Sequence, residues 1–243
     1  MGALLWQIRR QTGSLATVHG VLKTTAANAA RKVVQAYRNQ KRTPRERLVD
    51  FWKDRLDGDH GLRLDYPLTE ESVVVDVGGY KGQWASDIYG RFSCHVHVFE
   101  PMPGFADLIE QRFAHNSKVI PYRYGLGASD RWVQISVDDD ASSMIATAEA
   151  AETVEIRSAV DAVRTLGEVD LMKLNIEGAE YELLEALDAA DALRQVRYVQ
   201  VQFHDFVADA HARWQAARAS LGKTHDLTWG YDFVWESWER RAS

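Results

Sequence analysis

The sequence predicts an α/β fold: an open, mostly parallel sheet with helices on both faces, preceded by an N-terminal helical arm. Three observations carry this. Short apolar runs of strand length alternate with segments of helical spacing, at the lengths of βαβ units. Several runs are continuous and β-branched, as strands buried on both faces are. The first, Val73–Val77, ends in glycines and opens into a helix. The expected division is an arm over 1–58 and a domain over 59–243.

The elements follow in order. Over residues 3–40 apolar side chains recur at three-to-four spacing, broken at Gly13-Ser14 and Gly20, so one helix and two fit equally. Thr43-Pro44-Arg45-Glu46 is a helix start, with Thr43 as N-cap, Pro44 at the first position and Glu46 closing a capping box. That helix carries Leu48, Phe51, Trp52 and Leu56 and stops at Gly58. A strand follows at 73–77, then a helix through Trp84, Ile88 and Tyr89, a strand at 95–99 and a helix from Pro103 to Ala114. Strands are expected over 118–124 and 131–137, with a polar acidic loop over 138–156. A helix at 158–166 leads to a strand at 169–174, a helix at 179–187 and a strand at 196–203. Residues 208–221 are helical, and Leu227 with Tyr231–Trp235 suggests a final hairpin.

The whole-chain charge of −6 hides an asymmetry: residues 1–50 carry ten Lys/Arg against Glu46 and Asp50, a net of +8, and the remainder nets −14. The arm therefore reads as a basic amphipathic element. It can rest on an anionic membrane surface or pack on the acidic body or a second subunit. The lone cysteine, Cys94, excludes an internal disulfide and reads as a small packed hydrophobe. No stretch reaches the ~20 apolar residues of a membrane helix. Arg9 and Arg10 follow the run Ala3–Trp6 where a secretory signal has its charges before it, so no cleaved leader is read. The expected location is the cytoplasm, including the inner membrane face.

In an open parallel sheet, ligands bind at the carboxyl ends of the strands. There the first strand delivers Asp76-Val77-Gly78-Gly79-Tyr80-Lys81-Gly82. The third glycine of a dinucleotide fingerprint is absent, as is the Gly-Lys-Ser/Thr of a phosphate loop. An acid at this turn suits a ligand with an ammonium group. The second strand ends in Glu100-Pro101, 24 residues after Asp76, where a carboxylate can accept both hydroxyls of a ribose. Together these features point to S-adenosylmethionine. Further on, Lys173, Asn175 and Glu177 alternate at a strand end, and Glu180 follows on the first helical turn, a set suited to substrate or metal binding. His204, after the next strand, is of the type that accepts a hydroxyl proton, with Asp205 beside it. Smaller features read as structural: His95 and His97 pack on a strand, Asp138–Asp140 is a solvated loop in a segment that could act as a flap, and Ser142-Ser143 is a minor substrate candidate. Trp229, Trp235 and Trp238 read as core ahead of sugar platforms.

On the blocks VVVDVGGYKGQWA, VFEP, DLMKLNIEGAEYELLEAL, QFHDF and FVWESW, the chain resembles the FkbM family of S-adenosylmethionine-dependent methyltransferases. The resemblance implies a class I (Rossmann-like) methyltransferase fold, a seven-stranded sheet whose last strand is antiparallel. It implies O-methylation of a hydroxyl on a sugar, glycan, polyketide or similar metabolite. Carried over by position, Asp76, Gly78, Gly79, Tyr80 and Gly82 line the methionine end of the cofactor. Glu100 and Pro101 hold the ribose, Gly127 lies in the turn beside the adenine, and Asn175 completes the cofactor set. His204, Glu177 and Lys173 form the catalytic group, with His204 as base and Glu177 and Lys173 positioning the acceptor; Glu180 and Asp205 face the substrate. Asn175 stands where many relatives have Asp, which argues against a metal ligand there, so no metal is expected. Competing readings are a non-catalytic binding module on the same fold and a small-molecule acceptor such as a polyketide. The acidic body speaks against a nucleic-acid partner.

Overall fold

The computed structural model describes residues 42–136 and 151–242. Most of the N-terminal arm, Asp138–Asp140 and Ser142-Ser143 lie outside the described residues. The chain divides into two compact units, 1–48 and 49–243, so the division falls ten residues before the expected one at Gly58. Trp52 accounts for the difference. It is buried and packs its ring against Trp229 and Tyr231, at centroid distances of 5.5 and 5.3 Å, so residues after Leu48 belong to the larger unit.

Ten strands and six α-helices are described. Helix α1 (Pro44–Asp54) begins at the expected capping box: the Thr43 amide donates to Glu46 Oε2 at 2.7 Å and the Glu46 amide to Thr43 Oγ1 at 3.2 Å. Then come β1 (Val73–Val77), α2 (Gln83–Phe92), β2 (His95–Phe99), α3 (Pro103–Phe113) and β3 (Val119–Tyr122). The short strands β4 (Gly125–Gly127), β5 (Arg131–Ser136) and β6 (Ala151–Ser158) follow. After them run α4 (Ala159–Leu166), β7 (Val169–Leu174), α5 (Glu180–Ala189), β8 (Val196–Val201), α6 (Ala210–Leu221), β9 (His225–Tyr231) and β10 (Trp235–Arg240).

The main sheet has seven strands in the order β3-β2-β1-β7-β8-β10-β9. The pairs from β3 to β8 are parallel, and β10, the last strand, runs antiparallel to both neighbours. This is the class I methyltransferase arrangement that the resemblance implies. Apolar side chains leave both faces of the central strands. Val75, Val77, Met172, Leu174 and Val199 pack with Leu183, Leu184 and Leu187 of α5 and Val163 of α4. Val74, Leu171, Val96 and Val98 pack on the opposite face with Trp84 and Ile88 of α2 and Ile109 and Phe113 of α3. Each fully buried aliphatic side chain contributes about 1.5–3 kcal/mol.

One expectation is corrected here. The expected strand at Arg131–Ser136 lies outside the main sheet: β5 pairs with β6, and β6 with β4, in a separate three-stranded sheet. The segment 151–156 is thus strand, where the sequence reads as part of an acidic loop. Its inward residues, Val154 and Ile156, are buried with Ile135 and Met102.

Candidate active site

The second face of the main sheet changes character at its carboxyl edge. Asp76 on β1 is in register with Lys173 on β7, Lys173 with Gln200 on β8, and Gln200 with Ser237 on β10. All four are buried, so a polar row crosses the end of an apolar face. Burial of charge is tolerated only when paired. Lys173 Nζ donates to Asp76 Oδ1 at 2.8 Å and to the Gly78 carbonyl at 2.6 Å. Burial pushes the Asp76 carboxyl up and the Lys173 ammonium down, and each partner's charge opposes the shift of the other. Lys173 therefore holds the glycine loop by its donors.

The first two positions of the loop after β1 leave no room for side chains. A Cβ on Gly78 would lie 2.0 Å from the Asn175 carbonyl oxygen, and its φ is +84°. A Cβ on Gly79 would meet Val98 at 2.4 Å. Gly82, at φ +74°, starts α2 without lining the cavity. Tyr80 is forced to φ +51° and packs its ring edge-on against Phe105 at 4.6 Å. Above this loop lies a cavity of about 440 Å³, within the range of a small-molecule site. It is lined by the ends of β1, β2 and β7: Gly78–Tyr80, Glu100–Met102 and Asn175–Glu177. Leu126 and Ile156 of the small sheet, Arg63, Trp84 and Asp87 contribute further wall.

Glu100 is buried, and its carboxylate accepts the Tyr80 amide at 2.7 Å and the Met102 amide at 2.9 Å. Burial pushes this carboxyl up to about 7 despite those two donors. Among the described residues four polar side-chain atoms are buried without a partner: Asn175 Oδ1, Trp84 Nε1 and Arg131 Nε, whose residues line the cavity, and Asp76 Oδ2, whose residue lies off the cavity wall. Such a group costs about 1–3 kcal/mol. A polar ligand in the cavity would give partners to the three on its wall.

At the end of β7 the chain turns through two left-handed residues, Glu177 (φ +50°) and Gly178 (φ +100°). The non-glycine member stores strain of about 1–2 kcal/mol. Behind it stands a chain of three groups. Glu180, fully buried, accepts the Gly178 amide at 2.9 Å, the His204 amide at 2.8 Å and His204 Nδ1 at 3.1 Å. His204 Nε2 lies 3.4 Å from Glu177 Oε2. Glu177 lines the cavity, and its carboxyl is pushed up by burial and held back by His204.

This geometry sorts the expected residues. Gly78, Gly79, Tyr80, Glu100, Pro101, Asn175, Lys173 and Glu177 line the cavity. His204 does not; it touches Glu177 from behind, which corrects its expected contact with the acceptor. Glu180 is a further correction: its oxygens are used on His204 and Gly178, so it orients the imidazole and does not face substrate. Asp205 is exposed and off the described cavity wall. Gly127 is off the described wall, where Gly125 and Leu126 of the same strand stand instead. Arg63, Trp84 and Asp87 were missed. Arg63 pairs locally with Asp59, but the contacts that bring it to the site are with residues far along the chain, Gln200 and Trp235.

Among curated proteins none matches the chain. Among solved structures it is similar to the Methanococcus jannaschii fibrillarin pre-rRNA processing protein, at 10% identity over 74% of this chain and 70% of that one, with a TM-score of 0.45. It is also similar to an rRNA methylase from Streptococcus thermophilus (11% identity, 77% and 96% coverage, TM-score 0.47). A third is the ribosomal protein L11 methylase from Lactobacillus delbrueckii subsp. bulgaricus (14%, 76% and 79%, 0.45). The model of the methyltransferase FkbM domain matches residues 76–223, more than half of the chain. That span opens on Asp76 and takes in Glu100, the turn at Glu177 and His204. The chain belongs to the FkbM methyltransferase family, whose members use S-adenosylmethionine.

Proposed function

We propose that this methyltransferase acts on a hydroxyl of a sugar or glycan-containing acceptor, and that Glu177, backed by His204 and Glu180, takes the hydroxyl proton. The observation that carries the reading is the row Glu180–His204–Glu177, which ends in a carboxylate on the cavity wall.

The chain's own atoms suit S-adenosylmethionine. Backbone at Gly78 and Gly79 can approach a ligand closely because no Cβ intervenes. Glu100 would accept from the ribose hydroxyls once it turns from the Tyr80 and Met102 amides. Leu126, Ile156 and Met102 offer apolar walls for a base, and the orphaned Asn175 Oδ1 suits the ammonium. When bound, the cofactor supplies a methyl carbon already activated by the adjoining sulfonium.

The chain's remaining tasks are to orient an oxygen nucleophile and hold its proton. Glu177 is a fitting base because burial raises its carboxyl toward the working pH. A proton received there can pass to His204 Nε2, and Glu180 at Nδ1 stabilises the imidazolium that results. Orientation of the acceptor in line with the methyl group supplies much of the remaining rate. Support for a polyhydroxylated acceptor comes from the carboxylates on the wall, Asp59, Asp87 and Glu177, beside the Trp84 indole.

The test is incubation with methyl-labelled cofactor and a panel of sugar nucleotides, oligosaccharides, polyketides and nucleic acids, with product analysis by mass spectrometry. The expected product is a sugar methyl ether, and Glu177→Gln is expected to lower kcat by about 10²–10⁴-fold. Methylation confined to nucleic acid or to amines would sink the reading.

A further inference from the structure

We propose that Arg63 binds the carboxylate of the cofactor's methionine moiety and makes the site selective for that group. The inference rests on the cofactor of the family and is independent of the acceptor. The amino-acid end of S-adenosylmethionine is a zwitterion, so its site must offer a donor array to the carboxylate as well as acceptors to the ammonium.

Arg63 is fixed on three sides. Its guanidinium lies 3.7 Å from the centroid of the Trp235 ring. Nε donates to Gln200 Oε1 at 3.1 Å and Nη1 to Asp59 Oδ1 at 3.1 Å. Its side chain is 13% exposed and lines the cavity. Among the described residues Nη2 makes no recorded hydrogen bond. Gln200, which holds it, neighbours Lys173 in the polar row, so the guanidinium is mounted on the same row of buried polar side chains that holds the glycine loop.

The other cations on the wall are less suited: Lys173 and His60 are paired, and Arg131, whose Nε has no partner among the described residues, stands at the small-sheet side. Lys173 is spent on Asp76 and Gly78. Arg131 reaches toward Glu182 with both terminal nitrogens and lies beside Gly127, at the Leu126 end. His60 pairs with Asp57 and is largely exposed. Arg63 alone among these four joins a rigid mounting on the polar row to a terminal nitrogen left for a ligand. A pre-mounted guanidinium loses little freedom on binding and offers directed donors to a carboxylate.

The experiment is isothermal titration of the full chain, without acceptor, using S-adenosylmethionine and its decarboxylated analogue, which differ in the carboxylate alone. Wild type is expected to prefer S-adenosylmethionine by about tenfold or more. Arg63→Gln is expected to remove that preference while leaving the affinity for the decarboxylated analogue within about twofold. Arg63→Lys keeps a cation and is expected to retain part of the preference. It also decides the question should Arg63→Gln fail to fold. An unchanged preference in either variant, an equal loss for both ligands, or no preference in wild type would overturn the proposal. An arginine reserved for an acceptor anion would give the first of these results.

Discussion

Glu180 sits in a fully buried position and still carries three hydrogen bonds, two of them from His204. Such a carboxylate is costly unless all its bonds are made, so its place in the molecule is to fix the direction of the imidazole ring. Glu180→Gln keeps the shape and removes the charge. It is expected to lower kcat by about tenfold or more while the affinity for S-adenosylmethionine stays unchanged. The pH profile of kcat supplies the decisive reading. A purely structural role would leave its limbs in place, whereas loss of the anion beside Nδ1 is expected to shift the limb assigned to the Glu177–His204 pair. Gly78 is a second residue-scale case. Its φ is +84° and a Cβ would collide with the Asn175 carbonyl oxygen, a backbone atom that cannot step aside cheaply. Gly78→Ala is expected to displace the loop from β7 and weaken cofactor binding by about tenfold or more, measured by titration calorimetry.

At the scale of elements, α1 shows how a short helix is held. Its mean composition is polar, and one residue, Trp52, is buried. That indole packs on Trp229 and Tyr231 of β9, and its Nε1 donates to Asp59 Oδ1, the same oxygen that holds Arg63. Trp52→Ala is expected to cost about 3–5 kcal/mol in denaturant unfolding. It is also expected to loosen Arg63 through Asp59. The elements legible in the sequence are those whose residues carry their own signal. Val73–Val77 and Val169–Leu174 are apolar on both faces, and Thr43–Glu46 caps itself locally. The strand Gly125–Gly127 was not legible, because its residues have no strand preference and are held by pairing with Ile156 and Ser158, some thirty residues away. Likewise the glycine loop and Glu100 could be found from spacing, whereas the division of labour between Glu177, His204 and Glu180 could not. It depends on a left-handed turn at Glu177 and on which carboxylate is buried.

On the scale of the whole molecule, the site is a polar row set into the end of an apolar sheet face, and its cost is spread over the fold. Glu100 carries a measurable share. Its carboxyl ordinarily titrates near 4.5 and is held at about 7 in the folded chain. Between those values the folded state binds a proton that the unfolded state has lost, so stability falls as pH rises from about 4.5 to 7 and levels off above. The loss amounts to about 3 kcal/mol at 1.36 kcal/mol per unit. Asp76 and Glu177, also pushed up by burial, act with the same sign, so a substitution is needed to isolate the share of Glu100. Glu100→Gln removes the titration and is expected to flatten the fall, read as urea midpoints at pH 5, 6, 7 and 8. Cofactor binding works in the opposite direction. Ribose hydroxyls that donate to Glu100 favour the charged form, so the bound complex gives up the proton. The affinity of wild type for S-adenosylmethionine is then expected to rise with pH up to about 7, by at most about tenfold per unit. Calorimetry in buffers of different ionisation enthalpy counts the released proton directly. Release that persists in Glu100→Gln would assign it to another group and detach Glu100 from the ribose.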